Sequence, residues 1–333
     1  MKRTDDSAKL VDKKTIIYAA LIIIIIIVPT VFVLQLLTSR PNTPKAAIVD
    51  QLSSSHLSPT SRYPNQTFID LARGLLSQRF DTIDYYADNA SVENYKQLPS
   101  KGYKVIIWRA HSALNLDSKY VAISTSDREF LTSYDQYMQN GQLTLCNITG
   151  DPYLYFAINP RFIREVMNGR FDDTVIIMMS CNGLKAGYTE TAAAFQEKGA
   201  RVLISWDGWI SSADNDDATA HLLNYLVAEN NTVSDAVSKI PGYSSHEFGS
   251  SVLRYSPVVP AASNYQIPDY REVAQAKTRS MATTAYTQRR ITAKPSSCLS
   301  KNEVSFPDRA LALDAERSKN RRTFKRSLSI CVV

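Results

Sequence analysis

The sequence predicts an α/β domain built on a doubly wound, mostly parallel sheet with helices on both faces, preceded by one transmembrane helix. Short runs that are almost continuously apolar, such as residues 103–108 and 174–180, are typical of strands buried on both faces of a parallel sheet. Segments with helical periodicity lie between these runs, as expected when helices cover such a sheet. An uncharged stretch at 16–37 predicts the transmembrane helix.

The segment 16–37 has 22 residues and no charge, and residues 22–27 are all isoleucine. A spanning helix needs about 20 apolar residues. A cleaved signal peptide has a shorter apolar core and a small-x-small cleavage site, and residues 38–41 offer no such site. We therefore predict an uncleaved signal anchor, with a cleaved signal peptide and a buried core helix as the alternatives.

Charge predicts the orientation of this anchor. Five Lys and Arg residues precede the segment, whereas only Arg40 and Lys45 follow it closely, and the more basic flank of a spanning helix stays in the cytoplasm. Residues 1–15 then form a cytoplasmic N-terminus, 38–45 a linker, and the rest lies outside the cytosol as a single-pass membrane protein. Four N-glycosylation sequons fit this location, and they begin at Asn65, Asn89, Asn147 and Asn230.

The first predicted elements of the domain are a strand, a helix and a second strand. Residues 46–50 are short and apolar, which predicts a strand. Asn65 begins a helix in which apolar residues recur at the i, i+3, i+4, i+7 spacing of an amphipathic helix. Residues 82–87 alternate between apolar and polar side chains, which predicts a strand with one buried face.

The next elements continue the alternation. Residues 91–98 suit a short helix that Pro99 ends, because proline cannot continue a helix interior. The run 103–108 predicts a fully buried strand, and 120–126 and 153–158 are smaller runs typical of strands. The alternation of strands and helices therefore continues to the middle of the chain, as expected for a parallel sheet covered by helices.

A helix is then predicted from Asn159, which is a good N-cap, with Pro160 at its first position and Gly169 after its end. The apolar run 174–180 predicts another buried strand. Four more elements are predicted after this strand. They are a helix at 189–198, a strand at 201–206, a helix beginning near Asp214 and a helix at 233–239. The helix near Asp214 is favoured by acidic residues, which stabilise a helix N-terminus.

Two of the apolar strands lead directly into reactive side chains. Residues 103–108 are followed by His111, and 174–180 by Cys181. If the strands are parallel neighbours, both residues lie at the same edge of the sheet, where the sites of such sheets are found. An imidazole can accept the proton of a thiol and later protonate a leaving amine. The pattern predicts a Cys181–His111 dyad, with backbone N–H groups of Asn182 and Gly183 as oxyanion donors.

The segments 105–111 (Val-Ile-Ile-Trp-Arg-Ala-His) and 175–181 (Val-Ile-Ile-Met-Met-Ser-Cys) resemble the caspase-like fold of the clan CD cysteine peptidases. That family includes clostripain, the gingipains and the CHAT domains. Its members have an apolar strand ending near His-Gly and a later apolar strand ending in Cys. Residues 191–206 are similar to the helix and strand after the Cys in CHAT-type members. The resemblance covers about 46–258.

This resemblance implies a hydrolase that cleaves peptide bonds with Cys181 and His111 and needs no metal ion or organic cofactor. The sequence departs from the family at two positions. Ser112 stands where members usually carry a Gly whose backbone helps form the oxyanion hole, so the resemblance implies that the Ser112 N–H takes this role. Met179 stands where metacaspases carry an Asp for basic substrates. Asp207, beside Trp206 at the end of strand 201–206, is a predicted acceptor for a Lys or Arg side chain of a substrate. The alternative is that Asp207 is a turn residue.

Two other interpretations of the reactive pair remain open. A disulfide between Cys146 and Cys181 suits an exterior compartment. Alternatively, the domain is a catalytically inactive member of the same fold that serves as a surface interaction or scaffold domain, with His111 and Cys181 as structural residues.

The C-terminal segment 259–333 differs from the rest of the chain. Residues 261–333 hold 14 Lys and Arg against 6 Asp and Glu, with no Gly and no sustained periodicity. This composition predicts a disordered basic tail, and its charge suits an anionic surface. The expected partners are therefore the membrane, a protein or peptide substrate and such a surface, with no specific nucleic acid.

Overall fold

The main sheet of the domain has six strands in the computed structural model, which describes residues 44–246, 249–273 and 328–331. Five of these strands are parallel to one another, and the sixth is an antiparallel edge strand. The predicted α/β class with a mostly parallel sheet is confirmed. In spatial order the strands are β12 (Leu253–Ser256), β9 (Ala200–Trp206), β8 (Thr174–Met179), β3 (Tyr103–Arg109), β1 (Lys45–Asp50) and β2 (Ile83–Tyr86).

Most predicted helices are present, and polar caps begin several of them. Asn65 accepts a hydrogen bond from the Phe68 N–H at 3.1 Å, which satisfies one of the unpaired donors of a helix N-terminus. Asn159 accepts the same bond from the Phe162 N–H at 3.1 Å, and the helix predicted after it is present, with a π-helical turn at Phe162–Val166. The α-helices of the described residues are α1 (Gln66–Leu76), α2 (Val92–Gln97), α3 (Asp135–Gln139), α4 (Glu190–Glu197), α5 (Ser212–Leu223), α6 (Val233–Ser238) and α7 (Pro260–Ser263).

The two faces of the main sheet bury separate cores. Alternate residues of β3 show the division, because Ile106 and Trp108 belong to the first core and Val105 and Ile107 to the second. Helices α2 and α4 contribute to the first core. Helices α1, α5 and α6 contribute to the second core. Helices therefore cover both faces of the main sheet, as predicted for strands that are apolar on both faces.

A second sheet, missed by the sequence analysis, begins directly after His111. Strands β5 and β7 correspond to the predicted runs at 120–126 and 153–158, whereas β4 and β6 were not predicted. These strands pair antiparallel with one another, and β13 closes them into a barrel. Their bounds are β4 (Ser112–Asn115), β5 (Tyr120–Arg128), β6 (Leu143–Ile148), β7 (Leu154–Ile158) and β13 (Leu328–Cys331). A short hairpin of β10 (Tyr243–Ser245) and β11 (Gly249–Ser251) stands apart from both sheets.

The folded domain extends beyond the predicted boundary at residue 258. Ala262 and Ile267 are each 1% exposed and pack in the second core. The Val233 N–H also donates to the Tyr265 carbonyl at 2.9 Å, which fixes this segment to the start of α6. Residues 259–273 are therefore part of the fold because they cover apolar surface. Apart from β13, the rest of the predicted basic tail lies outside the described residues.

The predicted anchor at 16–37 also lies outside the described residues. In the part of the chain that the structure describes, we find no helix with the length and apolar character that crossing a membrane requires.

Candidate functional site

The two strand ends predicted to carry the chemistry are neighbours. Strands β3 and β8 are parallel, and Arg109 is paired with Met179. The Ala110 N–H donates to the Met179 carbonyl at 3.3 Å, so the strands remain adjacent beyond their last paired residues. His111 and Cys181 therefore follow the two strands at the same edge of the sheet, as predicted. Because β4 begins at the next residue, His111 lies at the junction of the two sheets.

The His111 side chain is buried and held in one orientation by the loop between β1 and α1. Its Nε2 lies 2.8 Å from the carbonyl oxygen of Ser61. A carbonyl oxygen can only accept a hydrogen bond, so Nε2 carries the hydrogen and Nδ1 keeps its lone pair. The His111 backbone N–H donates to Gln51 Oε1 at 3.0 Å. These contacts fix the tautomer of the imidazole and leave Nδ1 as the basic atom.

Burial also keeps this imidazole neutral. Removal from water lowers the pKa of His111 to about 4, and the nearby Arg109 cation adds to this effect. The Ser61 hydrogen bond and the Asp151 charge act in the opposite direction but do not overcome it. At pH 7 the imidazole is therefore uncharged, which is the form that a general base requires.

Asp151 fixes the loop that carries the Ser61 carbonyl. Its Oδ2 accepts hydrogen bonds from Ser58 Oγ at 2.8 Å, from Tyr155 Oη at 2.9 Å and from the Ser61 hydroxyl. Burial raises the pKa of Asp151, but the hydrogen bonds lower it by more, so the carboxylate stays ionised. Asp151 therefore positions the group that orients His111. The sequence analysis missed this residue, which is 90 positions from Ser61 in the chain.

The Cys181 side chain is half-buried against the second core. Its Sγ lies 3.4 Å from the Ile210 carbonyl oxygen, to which the thiol donates. Burial raises the pKa of Cys181 to about 11, and the bond to Ile210 reverses little of this rise. The thiol is therefore protonated at pH 7. Cys146 lies buried in β6 and both cysteines are free thiols, so the alternative of a Cys146–Cys181 disulfide is wrong.

The thiol and the imidazole share one edge of the sheet but make no hydrogen bond to each other. Among the described residues, Cys181 Sγ bonds to Ile210 and His111 Nε2 to Ser61. The two strand ends are joined instead through Ser112, whose hydroxyl donates to the Cys181 carbonyl oxygen. Proton transfer between the dyad residues therefore requires the Cys181 side chain to leave Ile210.

The turn after Cys181 uses one of the predicted oxyanion donors for its own structure. Asn182 has a φ angle of 58°, and its N–H donates to the Gly208 carbonyl at 2.7 Å. That N–H is thus committed to the fold. A Cβ atom at Gly183 would lie 2.1 Å from Ser205 Oγ, so a side chain does not fit there. Gly183 remains as the predicted oxyanion donor on this turn.

The two residues predicted to bind a substrate side chain are both occupied by contacts within the protein. Trp206 is 1% exposed, and its Nε1 donates to Asn215 Oδ1 at 3.0 Å. Asp207 accepts from the Val252 N–H at 2.7 Å and from Arg254 Nε at 3.0 Å. A basic substrate group would have to displace Arg254 to reach Asp207, and buried Trp206 offers no contact surface.

A buried ion cluster lies at the same edge and was also missed by the sequence analysis. Arg109 donates to Asp50 at 2.9 Å and to both carboxylate oxygens of Asp216 at 2.7 and 2.8 Å. The three side chains are almost fully buried. Asn65, the first predicted glycosylation site, donates to Asp216 at 2.9 Å, so its amide is part of this cluster. The cluster connects the ends of β1 and β3 to helix α5.

Comparison of the chain with known protein families gave no match, and comparison with curated proteins gave none either. Among the described residues, no group of three or more His, Cys, Asp and Glu side chains is arranged to hold a metal ion.

Proposed function

We propose that this protein is a membrane-anchored cysteine endopeptidase with a caspase-like fold, which hydrolyses peptide bonds outside the cytosol with Cys181 as nucleophile and His111 as base. The observation that carries this proposal is the 2.8 Å contact between His111 Nε2 and the Ser61 carbonyl. A base in a nucleophilic site is usually oriented by a third group. Here the Ser61 carbonyl binds Nε2 of His111, which leaves Nδ1 as the base. His111 lies at the same edge of the sheet as Cys181.

In the proposed reaction, the Cys181 thiol turns from the Ile210 carbonyl toward His111. Nδ1 takes the thiol proton while Sγ bonds to the carbonyl carbon of the scissile peptide, whose oxygen becomes an oxyanion. The Gly183 N–H is the proposed donor to this oxyanion. The imidazolium then gives its proton to the leaving amine as the C–N bond breaks, which leaves a thioester on Cys181.

The second half of the reaction regenerates the enzyme. A water molecule gives one proton to His111 Nδ1 and attacks the thioester carbonyl carbon. The C–S bond then breaks, the imidazolium returns the proton to sulfur, and the carboxylic acid product leaves. The same imidazole thus serves as base and acid in each half-reaction.

The pKa values favour proton transfer during the attack rather than a preformed ion pair. The pKa of the thiol is about 11 and that of the imidazole about 4, so both groups are neutral at pH 7. We therefore expect the alkylation rate of Cys181 by iodoacetamide in the free protein to increase with pH up to about 11, because the thiolate is the reactive form. A plateau near pH 8, typical of an unperturbed thiol, would contradict this.

The proposal is tested by labelling and peptide cleavage with four proteins. The wild type should react covalently with an electrophilic peptide and cleave unstructured protein substrates, and Cys181→Ala should lose both activities. Cys146→Ala is the matched control, because it removes a buried thiol from the second sheet, and it should retain both. His111→Gln should reduce cleavage by about 100-fold or more, as expected for a lost general base. Cleavage by Cys181→Ala at the wild-type rate would refute the dyad.

The second candidate function is a catalytically inactive surface interaction or scaffold domain. One observation favours it: the thiol is bonded to Ile210 and not to His111. Under this alternative, the folded wild type would neither cleave peptides nor react with the electrophilic peptide at Cys181, and Cys181→Ala would behave as the wild type in every assay.

The membrane location rests on the sequence of segment 16–37 and on the basic residues before it. Cell fractionation of the full chain and of a variant lacking residues 1–37 tests this part of the proposal. The full chain should sediment with membranes and the shortened chain should not. Protease added to intact cells should digest the domain if it lies outside the cytosol.

A further inference from the structure

An open cleft of about 540 Å³ lies between the loop after β1 and the ends of β5 and β7, and the proposed peptidase chemistry does not use it. Pro59 and Tyr153, which are both exposed, supply apolar surface along its wall. Arg62 and Arg128 also line it, one from each side. A cleft that combines apolar surface with a few charged groups is a common form of small-molecule site.

Both arginine side chains are held in place through Nε, which leaves their terminal nitrogens for a ligand. Arg128 Nε donates to the His56 carbonyl at 2.9 Å, and its guanidinium lies 3.9 Å from the centroid of the Tyr153 ring. Arg62 Nε donates to the Ser53 carbonyl at 3.1 Å. Fixing a guanidinium in advance reduces the entropy that it loses when it binds an anion.

Neither guanidinium is neutralised by a carboxylate of the described residues. No salt bridge within those residues involves Arg62 or Arg128. Two acidic side chains, Asp151 and Asp88, bond to residues that line the cleft, but their oxygens accept hydrogen bonds from other groups. Asp151 accepts from the hydroxyls of Ser58, Ser61 and Tyr155. Asp88 accepts from the Ser55 N–H at 2.6 Å and from its hydroxyl at 2.9 Å. Within the described residues, the terminal nitrogens of both guanidinium groups are therefore left without a carboxylate partner.

We propose that this cleft binds a phosphate monoester with a small apolar group, held by Arg62 and Arg128. A phosphate monoester carries nearly two negative charges at pH 7 and matches two guanidinium groups, whereas a monocarboxylate would leave one of them without a partner. Pro59 and Tyr153 line the cleft and are exposed, so the apolar group of the ligand has a surface to cover. This inference goes beyond the proposed peptidase function and does not depend on it.

Isothermal titration of the full chain in detergent with phenyl phosphate tests the proposal. We expect saturable binding to one site at pH 7.5 and weaker binding at pH 5, because the second pKa of a phosphate monoester is about 6. Arg62→Gln and Arg128→Gln should each weaken binding about tenfold or more, as expected for the loss of a charged hydrogen-bond donor. Arg170→Gln, at another exposed arginine, should leave it unchanged.

Several outcomes separate this site from simpler explanations. Equal weakening by Arg170→Gln would show general attraction to positive charge and would overturn the proposal, as would the absence of saturable binding. Benzoate that binds as tightly as phenyl phosphate would overturn the dianion preference, and inorganic phosphate that binds as tightly would overturn the role of the apolar group. Arg62 is exposed, so its substitution reports on binding even if Arg128→Gln disturbs the loop. Loss of binding in Arg62→Gln with unchanged thermal unfolding would support the proposal.

Discussion

Arg109→Met would leave the carboxylates of Asp50 and Asp216 buried without their cation. In the wild type, Arg109 is 1% exposed and Asp50 is fully buried. The guanidinium donates to Asp50 at 2.9 Å and to the two oxygens of Asp216 at 2.7 and 2.8 Å. Methionine has a similar length and is apolar, so the substitution removes charge and hydrogen bonds with little loss of volume. The change therefore isolates the electrostatic role of Arg109.

The expected loss of stability is about 3 kcal/mol. Removing one partner from a buried ion pair costs about 3–5 kcal/mol, because the remaining charge is left without compensation. The lower part of this range applies here, since both carboxylates keep other donors. Asp50 still accepts from the Tyr85 hydroxyl at 3.2 Å and from Ser53, and Asp216 still accepts from Asn65 at 2.9 Å. A loss of this size is a large part of the roughly 5–15 kcal/mol that stabilise a typical domain.

Urea denaturation of the wild type and the variant at pH 7 measures this loss. Arg164→Met is the matched control, because Arg164 also bonds two carboxylates, Glu190 at 3.1 Å and Glu197 at 2.6 Å, but these are exposed. Exposed pairs contribute about 0–1 kcal/mol, so the control should unfold at nearly the wild-type urea concentration. The reasoning is refuted if Arg109→Met lowers the free energy of unfolding by no more than Arg164→Met.

Two further predictions concern the dyad edge. The pKa of His111 is about 4 in the fold and 6.5 as an unperturbed group, so the unfolded chain binds the extra proton between these values. Stability should therefore fall by up to about 3 kcal/mol as pH drops from 6.5 to 4. His111→Gln, whose amide can still donate to Ser61, should lose this pH dependence in urea titrations, and an unchanged pH profile would contradict it. Gly183→Ala should cost about 1–3 kcal/mol in thermal unfolding, because its Cβ would lie 2.1 Å from Ser205 Oγ. Gly74→Ala in α1, whose Cβ would meet no atom within 4 Å, should instead stabilise by about 1 kcal/mol or less, so equal destabilisation of the two variants would be evidence against this argument.

The apolar strands of the main sheet were predictable because both of their faces are buried. In the strand Thr174–Met179, every residue after Thr174 is apolar and buried, and this run is visible without knowledge of its partners. The same reasoning placed His111 and Cys181 at strand ends, and the pairing of Arg109 with Met179 confirms that these ends are adjacent.

The second sheet was harder to predict because its strands carry weaker local signals. Strand β4 has four residues and follows the end of β3 so closely that the sequence does not separate them. Strand β6 is buried at five of six positions, and the polar Thr144 is one of them. Polar residues in a closed sheet are buried through pairing with other strands, and that pairing depends on residues far away in the chain.

The amino-acid sequence by itself determined the strand–helix order, the uncharged segment at 16–37 and the presence of a histidine and a cysteine after two apolar strands. Only the tertiary structure decided how those two side chains are held. The Ser61 carbonyl orients His111, Asp151 fixes that loop, and Ile210 accepts from the thiol. The physical reason is that a hydrogen bond or a pKa depends on distance and burial, and both are set by contacts between segments that are far apart in the chain.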